Sequence, residues 1–425
     1  MTTRLLAGRA LSALATALIP TTLTLAVLRT TGSGTDLGLV LAAELVPLLV
    51  FLPVGGVLAD RLRPERVALG ADLARCLTQL GIGAELLLGV GRILDLVLLS
   101  AAAGVAIAFG MPAVPRLVAA VVPEQDRLRV NARIGVATSL SAVAAPALAG
   151  GVVLVAGPGW AALLTGLLFA CAALTLGSVR TAGRPRPAHR SFGADLREGW
   201  QEVRRRPWFL TSVLGHGVWH FAAGLFLTLG PLAVTAAAGE AGWVLIVQCG
   251  TAGLVAGVFA APRLPIRRPM VAVQASAALY VLPMAALAFS APVWVLAGAY
   301  LVAMFGLGLL SPLWETVVAQ EIPQEALGRV RAFDQLISFA SRPFGLAVAV
   351  PLAGVAGETG LLLVAGVLVA AANLAAVIRI PEDGGRPGRR DQDSRGGGRS
   401  ERRDQDSRCA DRPGRRSQDS CSTDS

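Results

Sequence analysis

His216 and His220 stand one helical turn apart in the stretch GHGVWHFAAG, a spacing at which two imidazoles on one helix face can hold zinc. In the H-E-x-x-H arrangement of metalloproteases a glutamate between the histidines serves as general base, and here Gly217 occupies that position. Trp219 shares the face. The group therefore also reads as a polar, aromatic wall that hydrogen-bonds a ligand or titrates near neutral pH, or as two histidines satisfied by neighbouring helices. Other ionisable groups lie inside apolar runs: Glu44 in LVLAAELVPLLVF, Arg342 in FASRPFGL, and Asp72 with Arg75 at i, i+3 in ADLARCL. Such groups are costly in a membrane and mark function by default. Glu44 can take up and release protons, and a Glu44 to Arg342 pair would be a protonation-controlled latch; the alternative is that each snorkels or bonds locally. Asp72 and Arg75 are expected to pair with each other or with the loop before them.

The elements that must position these groups cross a membrane. The chain has 425 residues, 54% of them hydrophobic and 16% charged, with a mean hydropathy of +0.62, and its apolar residues fall into blocks of about 20, the length that spans a hydrocarbon core. Spans are expected at 10–29, 37–59, 67–90, 93–115, 134–156, 160–179, 208–231, 241–261, 270–290, 293–314, 333–355 and 359–379. The apolar N-terminal run is read as the first of them, not as a cleaved signal segment. The fold class is an all-α membrane protein of twelve transmembrane helices in two six-helix bundles. Arginines crowd the segments on one side, with Arg29 and Arg92 alone at the other, so both termini are cytoplasmic by the positive-inside rule. The formal charge of +10 is thus a topology signal and not a nucleic-acid footprint.

The expected organisation is an N-terminal bundle over 1–179, a cytoplasmic linker over 180–207, a C-terminal bundle over 208–380 and a disordered cytoplasmic tail over 381–425. The tail repeats RRDQDSR and has too few apolar residues to bury a core. The halves show a faint repeat: VPEQDRLRVNA at 122–132 aligns with IPQEALGRVRA at 322–332, an offset of 200. Six-helix repeats of like orientation are related by an axis along the membrane normal.

Between the second and third spans the sequence reads GGVLADRLRPERV. Gly56 can let helices approach closely, and Asp60 can offer its carboxylate to a helix N-terminus and an arginine. These residues, with Arg61 and Arg66, resemble the signature loop of the major facilitator superfamily, whose end is altered here by Arg63, Pro64 and Glu65. The resemblance implies a conformational gate that locks the halves outward-facing and breaks as they rock, with Arg116 as the partner of Asp60. The alternative is that the charges only fix topology. In the second half, Ala261 replaces the aspartate.

LVAAVVPEQDRLRVNARIG, DLARCL and LREGWQEVRRRPWFL together resemble the drug:proton antiporter branch that includes macrolide and multidrug exporters and the enterobactin exporter. Pro146 and Gly150 in APALAGG match the helix-packing antiporter signature G-P-x-x-G-G, or serve ordinary small-residue packing. The resemblance implies a cavity lined by the first, fourth, seventh and tenth spans, where Phe109, Met111, His216, Trp219, His220, Phe226, Met304 and Trp314 fall. The expected function is proton-driven export of a hydrophobic or amphipathic compound (drug, antibiotic or siderophore-like) by alternating access. It would act as a monomer in the bacterial plasma membrane, with substrate, protons and lipid as partners. An importer or facilitator of the same fold, and a membrane scaffold or sensor, are the alternatives. No enzyme is expected, since the histidine pair has neither its glutamate nor a third ligand, and neither metal nor cofactor is called for.

Overall fold

The computed structural model describes residues 2–176 and 192–378; of 56–61, 128, 192–196, 324–325 and 328–329 it describes the backbone alone. The tail from 381, and its expected disorder, lie outside the described residues. The first half is six helices: α1 (Thr2–Thr31), α2 (Gly34–Arg61), α3 (Pro64–Leu87), α4 (Ile93–Val121), α5 (Glu124–Ala156) and α6 (Pro158–Leu176). A short helix, α7 (Phe192–Arg204), stands in the polar segment between the halves. The second half is α8 (Pro207–Ala260), α9 (Pro269–Ala278), α10 (Val281–Ala288), α11 (Val293–Glu321), α12 (Gln324–Ala356) and α13 (Glu358–Ile378).

Ten stretches among the described residues are long and apolar enough to cross a bilayer. One of them, Pro207–Arg263, has 57 residues, twice what a bilayer needs. It doubles back at Gly239, whose φ of 73° and ψ of 174° are open to glycine and not to a helix. The return is visible in packing: a Cβ on Gly230 would sit 3.0 Å from the Trp243 ring, whereas 13 residues of straight helix would separate them by roughly 20 Å. α3 supplies a further pass whose hydropathy is diluted by Glu65, Asp72, Arg75 and Glu85. The passes are therefore the twelve expected from the apolar blocks.

The repeat offset of 200 extends to whole elements. α4 and α11 both have 29 residues, α5 and α12 both have 33, and each pair begins and ends 200 positions apart. The cause is local. Val122 and Ile322 each precede a proline that forbids the α region to its neighbour, and both are extended, at φ −106° and −109°. The helix stops, and Pro123 or Pro323 begins the next one. Gly157 and Gly357, at φ 99° and 76°, make the matching turns at the far end.

Close helix crossings tie each half together where backbone meets backbone. A Cβ on Gly104 of α4 would lie 2.0 Å from the carbonyl oxygen of Glu44 on α2. One on Gly308 of α11 would lie 2.1 Å from that of Leu254 on α8. In lipid such packing replaces the hydrophobic drive that water would supply. Around these crossings one large core, mostly of the second half and reaching Leu25 and Val153 of the first, includes Phe226, Trp243, Tyr280 and Tyr300, while the rest of the first half is divided into smaller clusters.

Candidate functional site

The two halves meet at the end of the molecule opposite α7. There the Arg29 guanidinium, at the end of α1, donates Nε to Glu240 Oε1 at 2.5 Å and Nη2 to Oε2 at 2.7 Å. This fork-on-carboxylate geometry is the strongest form an ion pair takes. Two turns below, α2 lies on α12: a Cβ on Gly38 would be 2.2 Å from the Leu346 carbonyl oxygen. On the other flank α5 meets the returning arm of α8, where a Cβ on Gly150 would stand 2.5 Å from a methyl of Val244. Gly150 thus faces the opposite half, and Pro146, on the same stretch, is buried.

Gln248, which sequence reading passed over, completes that contact. Its Nε2 donates to the Val143 carbonyl at 2.7 Å, and its Oε1 accepts from the Ala147 backbone N–H at 3.1 Å. An unbroken helix pairs those two backbone groups with each other. Pro146 removes the neighbouring rung, and the carboxamide bridges the loosened ladder from the other half. The one signal in the sequence is a lone amide in the apolar run VLIVQCG, because a polar side chain in lipid must find a partner.

Toward the α7 end the halves part. On α5 the stripe that touches α8 through Gly150, Ala147 and Val143 continues, at helical spacing, to Leu140 and Val136, which are 65% and 50% exposed. On α12, Leu346 is buried against α2, while Phe339 two turns away is 42% exposed. A cleft therefore opens on the end marked cytoplasmic by its arginines.

His220 is buried beneath Phe339, its ring 4.0 Å from that of Phe339 and 4.9 Å from that of Trp219. His216 meets Trp314 edge-on at 4.9 Å. Trp314 stacks on Phe209 at 5.5 Å and donates its Nε1–H to Asp334 at 2.6 Å. Both histidines are buried, and His216 Nε2 and His220 Nδ1 make no hydrogen bond among the described residues. Asp334, also absent from the sequence-derived set, is held by Trp314 and by Ser338 Oγ at 3.3 Å. The other cavity expectations are scattered. Met111 is 50% exposed, Phe109 and Met304 are half-buried, and Phe226 is sealed in the core, stacked on Tyr300 at 5.0 Å.

The intramembrane charges sort by half. The charge of Arg75 acts on Glu44, whereas that of Arg342 acts on His220, Tyr280 and Tyr300. Asp72 turns to α1, accepting from Ser12 Oγ at 3.0 Å and facing Arg9 Nη1 at 3.8 Å. The side chains of Asp60 and Arg61, and the packing of Gly56, lie outside what is described; Arg66 is exposed and Arg116 half-buried at the same end. In α7, hydrogen bonds from Arg206 and Arg205 hold the Glu202 carboxyl below the usual carboxylate range, and Trp200 packs on Phe333 of α12 at 5.7 Å.

A family model described as Major Facilitator Superfamily matches residues 5–346. Among curated proteins, the multidrug efflux pump Tap of Mycobacterium tuberculosis and of Mycobacterium bovis is 27% identical over 371 residues, covering 84% of this chain and 87% of that protein. Among solved structures, a POT family transporter in complex with a thioalcohol-conjugated peptide is similar at a TM-score of 0.70 and 11% identity, over 89% of this chain and 95% of that one. The nucleoside transporter NupG matches at 0.70 and 13%, over 89% and 100%. A D-xylose–proton symporter matches at 0.68 and 14%, over 90% and 98%. Twelve passes in two repeated halves, a cleft between them and a family model over most of the chain agree: this protein belongs to the Major Facilitator Superfamily and is a multi-pass membrane transporter, not an enzyme.

Proposed function

We propose that the protein exports hydrophobic or amphipathic small organic compounds from a bacterial cell, driven by inward flow of protons through alternating access, and that a single chain in the plasma membrane suffices. The similarity to the efflux pump Tap supports the substrate class and direction. The fold itself is neutral on cargo, since its solved neighbours are a peptide-bound transporter, a nucleoside transporter and a sugar symporter.

The observation that carries the reading is the one-sided closure. The halves are joined at the outer end by Arg29 with Glu240, by Gly38 on Leu346 and by Gln248 on α5, and they diverge toward the cytoplasm. This is the loading state of an exporter. Cargo enters between α5, α8 and α12 and meets the exposed ring of Phe339, with the buried His220, Trp219, Trp314 and His216 behind it. Such a surface suits varied apolar ligands, because ring faces supply contact area without a fixed hydrogen-bond pattern. Glu44 serves as a proton site. Asp60 with Arg116 forms the cytoplasmic gate that closes in the opposite state.

The test is transport in vesicles. Purified protein in liposomes, given an imposed pH gradient and ethidium as probe, should move ethidium against its own gradient into the proton-rich compartment. The movement should cease when a protonophore removes the gradient. Equal rates with and without the gradient would mean a facilitator and overturn the antiport reading.

A further inference from the structure

Gln248 stands where the contact between α5 and α8 ends and the cleft begins. One turn toward the outer end, Val244 meets Gly150; one turn the other way along α5 from Val143, Leu140 is 65% exposed. The carboxamide donates Nε2 to the Val143 carbonyl at 2.7 Å and accepts the Ala147 N–H on Oε1 at 3.1 Å. Those two backbone groups are the i−4 and i members of one helical rung, so a side chain of the second half occupies a rung of the first. Pro146 makes room for it. Without an N–H it cannot bond the Ala142 carbonyl, and its ring presses on that carbonyl and loosens the turn. A side chain inserted into the ladder in this way bends the helix that receives it.

Both backbone groups have a second partner available, which is each other. When α8 draws away, the Ala147 N–H returns to the Val143 carbonyl, and neither is left unpaired in lipid, a state that hydrocarbon does not permit. The freed carboxamide turns to the water that enters the opened outer end. Every polar group is therefore bonded whether the outer end is shut or open, and what changes is the shape of α5 at this turn. An amide tied to isolated backbone groups would strand them on opening and hold the halves shut; this one does not.

We propose that the turn of α5 from Val143 to Ala147 is a two-state rung, filled by the Gln248 amide when the outer end is shut and closed on itself when that end is open. Gln248 is the positioning residue that sets the balance between the two. Only hydrogen bonds are exchanged. The inference rests on alternating access, and not on which ion or cargo is carried.

The experiment reads opening at the outer end without any cargo. In full-length protein with its five native cysteines changed to serine, Val350→Cys is labelled with a maleimide, because a methyl of Val350 lies 2.8 Å from the Cβ that Gly34 lacks across the seam. Gln248→Met keeps the length of the side chain and removes both bonds. It should raise the labelling rate about three- to tenfold, the effect of about one net hydrogen bond. Pro146→Ala returns the missing N–H, favours the closed rung and should raise the rate in the same sense. Since each change ends the same insertion, the two together should exceed the larger single effect by less than about twofold, whereas independent contacts would multiply.

Gln248→Glu separates bonding from packing. Its ionised carboxylate still accepts from Ala147 but offers Val143 no hydrogen, so at high pH its rate, taken as a ratio to the parent at the same pH, should be at least that of Gln248→Met. Protonation restores a donor, and the ratio should fall toward one as pH is lowered. This profile decides the matter if Pro146→Ala fails to fold. A Gln248→Met rate equal to the parent's, a Gln248→Glu ratio of one at high pH, or multiplying effects of Gln248→Met and Pro146→Ala would overturn the two-state rung and leave alternating access standing. A parent in which position 350 reacts only on unfolding would count against alternating access and take the rung with it.

Discussion

Arg29 and Glu240 meet at the mouth of the outer seam, partly in water, with side chains 36% and 21% exposed. Exposed pairs contribute about 0.2 to 1 kcal/mol, and the two-pronged geometry places this one at the upper end. Glu240→Gln should therefore leave the fold intact and raise the open fraction of the outer end by about fivefold, the factor that 1 kcal/mol represents. A cysteine at position 350, where a methyl of Val350 lies 2.8 Å from the Cβ that Gly34 lacks across the seam, should react with a maleimide correspondingly faster. An unchanged rate would show that the pair contributes nothing to closure. The buried polar groups follow a different rule. Trp314 to Asp334, Gln248 to α5 and Asn373 to the Gly215 carbonyl at 3.3 Å stand where lipid or core gives no alternative partner, so each bond fixes a side chain and the helix that carries it. The sequence marks such residues as polar in an apolar run, which is how His216, His220 and Glu44 come to notice. It does not name their partners, because Gln248 lies 105 positions from Val143 and Asn373 lies 158 from Gly215.

At the scale of helices, glycines divide into those that hold a half together and those that let the halves meet. Gly104 faces Glu44 within the first half, at 2.0 Å for an added Cβ; Gly38 faces Leu346 across the seam, at 2.2 Å. Both meet backbone oxygen, which cannot rotate away as a side chain can. Gly104→Ala should cost about 1 to 3 kcal/mol of stability, the usual effect of overpacking, seen as a lower melting midpoint in detergent. Gly38→Ala acts on a joint that opens in the transport cycle. It should leave the melting midpoint within about 0.5 kcal/mol of the parent and shift the protein toward the outer-open state, read by the same labelling at position 350. Equal destabilisation by the two variants would mean that the seam is as permanent as the core. Element boundaries at Val122–Pro123 and Ile322–Pro323 were legible because proline acts on its immediate neighbour. α7 was not: its segment reads as polar by hydropathy, and its helix is made visible by Val203, 0% exposed, and by Trp200 on α12.

For the whole molecule the transport cycle is a change in which end of the cleft is closed. The Cβ that Gly150 lacks would lie 3.2 Å from the Cβ of Val244, just under the 3.5 to 4.5 Å that a disulfide spans. Gly150→Cys with Val244→Cys should therefore cross-link the halves on oxidation, stop gradient-driven ethidium transport by more than about tenfold, and recover on reduction. Transport that survives a complete cross-link would rule out opening of the α5–α8 seam. The sequence by itself determined the number of passes, their orientation and the repeat of 200, because burial in lipid, arginine retention and proline geometry each act on local stretches of chain. Signature residues added the family. Only the tertiary structure decided that the outer end is the closed one, that Gln248 bridges the ladder beside Pro146, and that Arg75 is held between Thr16 and Phe169. Those facts depend on how two halves and six helices rotate against one another, and contacts between residues far apart in the chain are set by the packing of the whole.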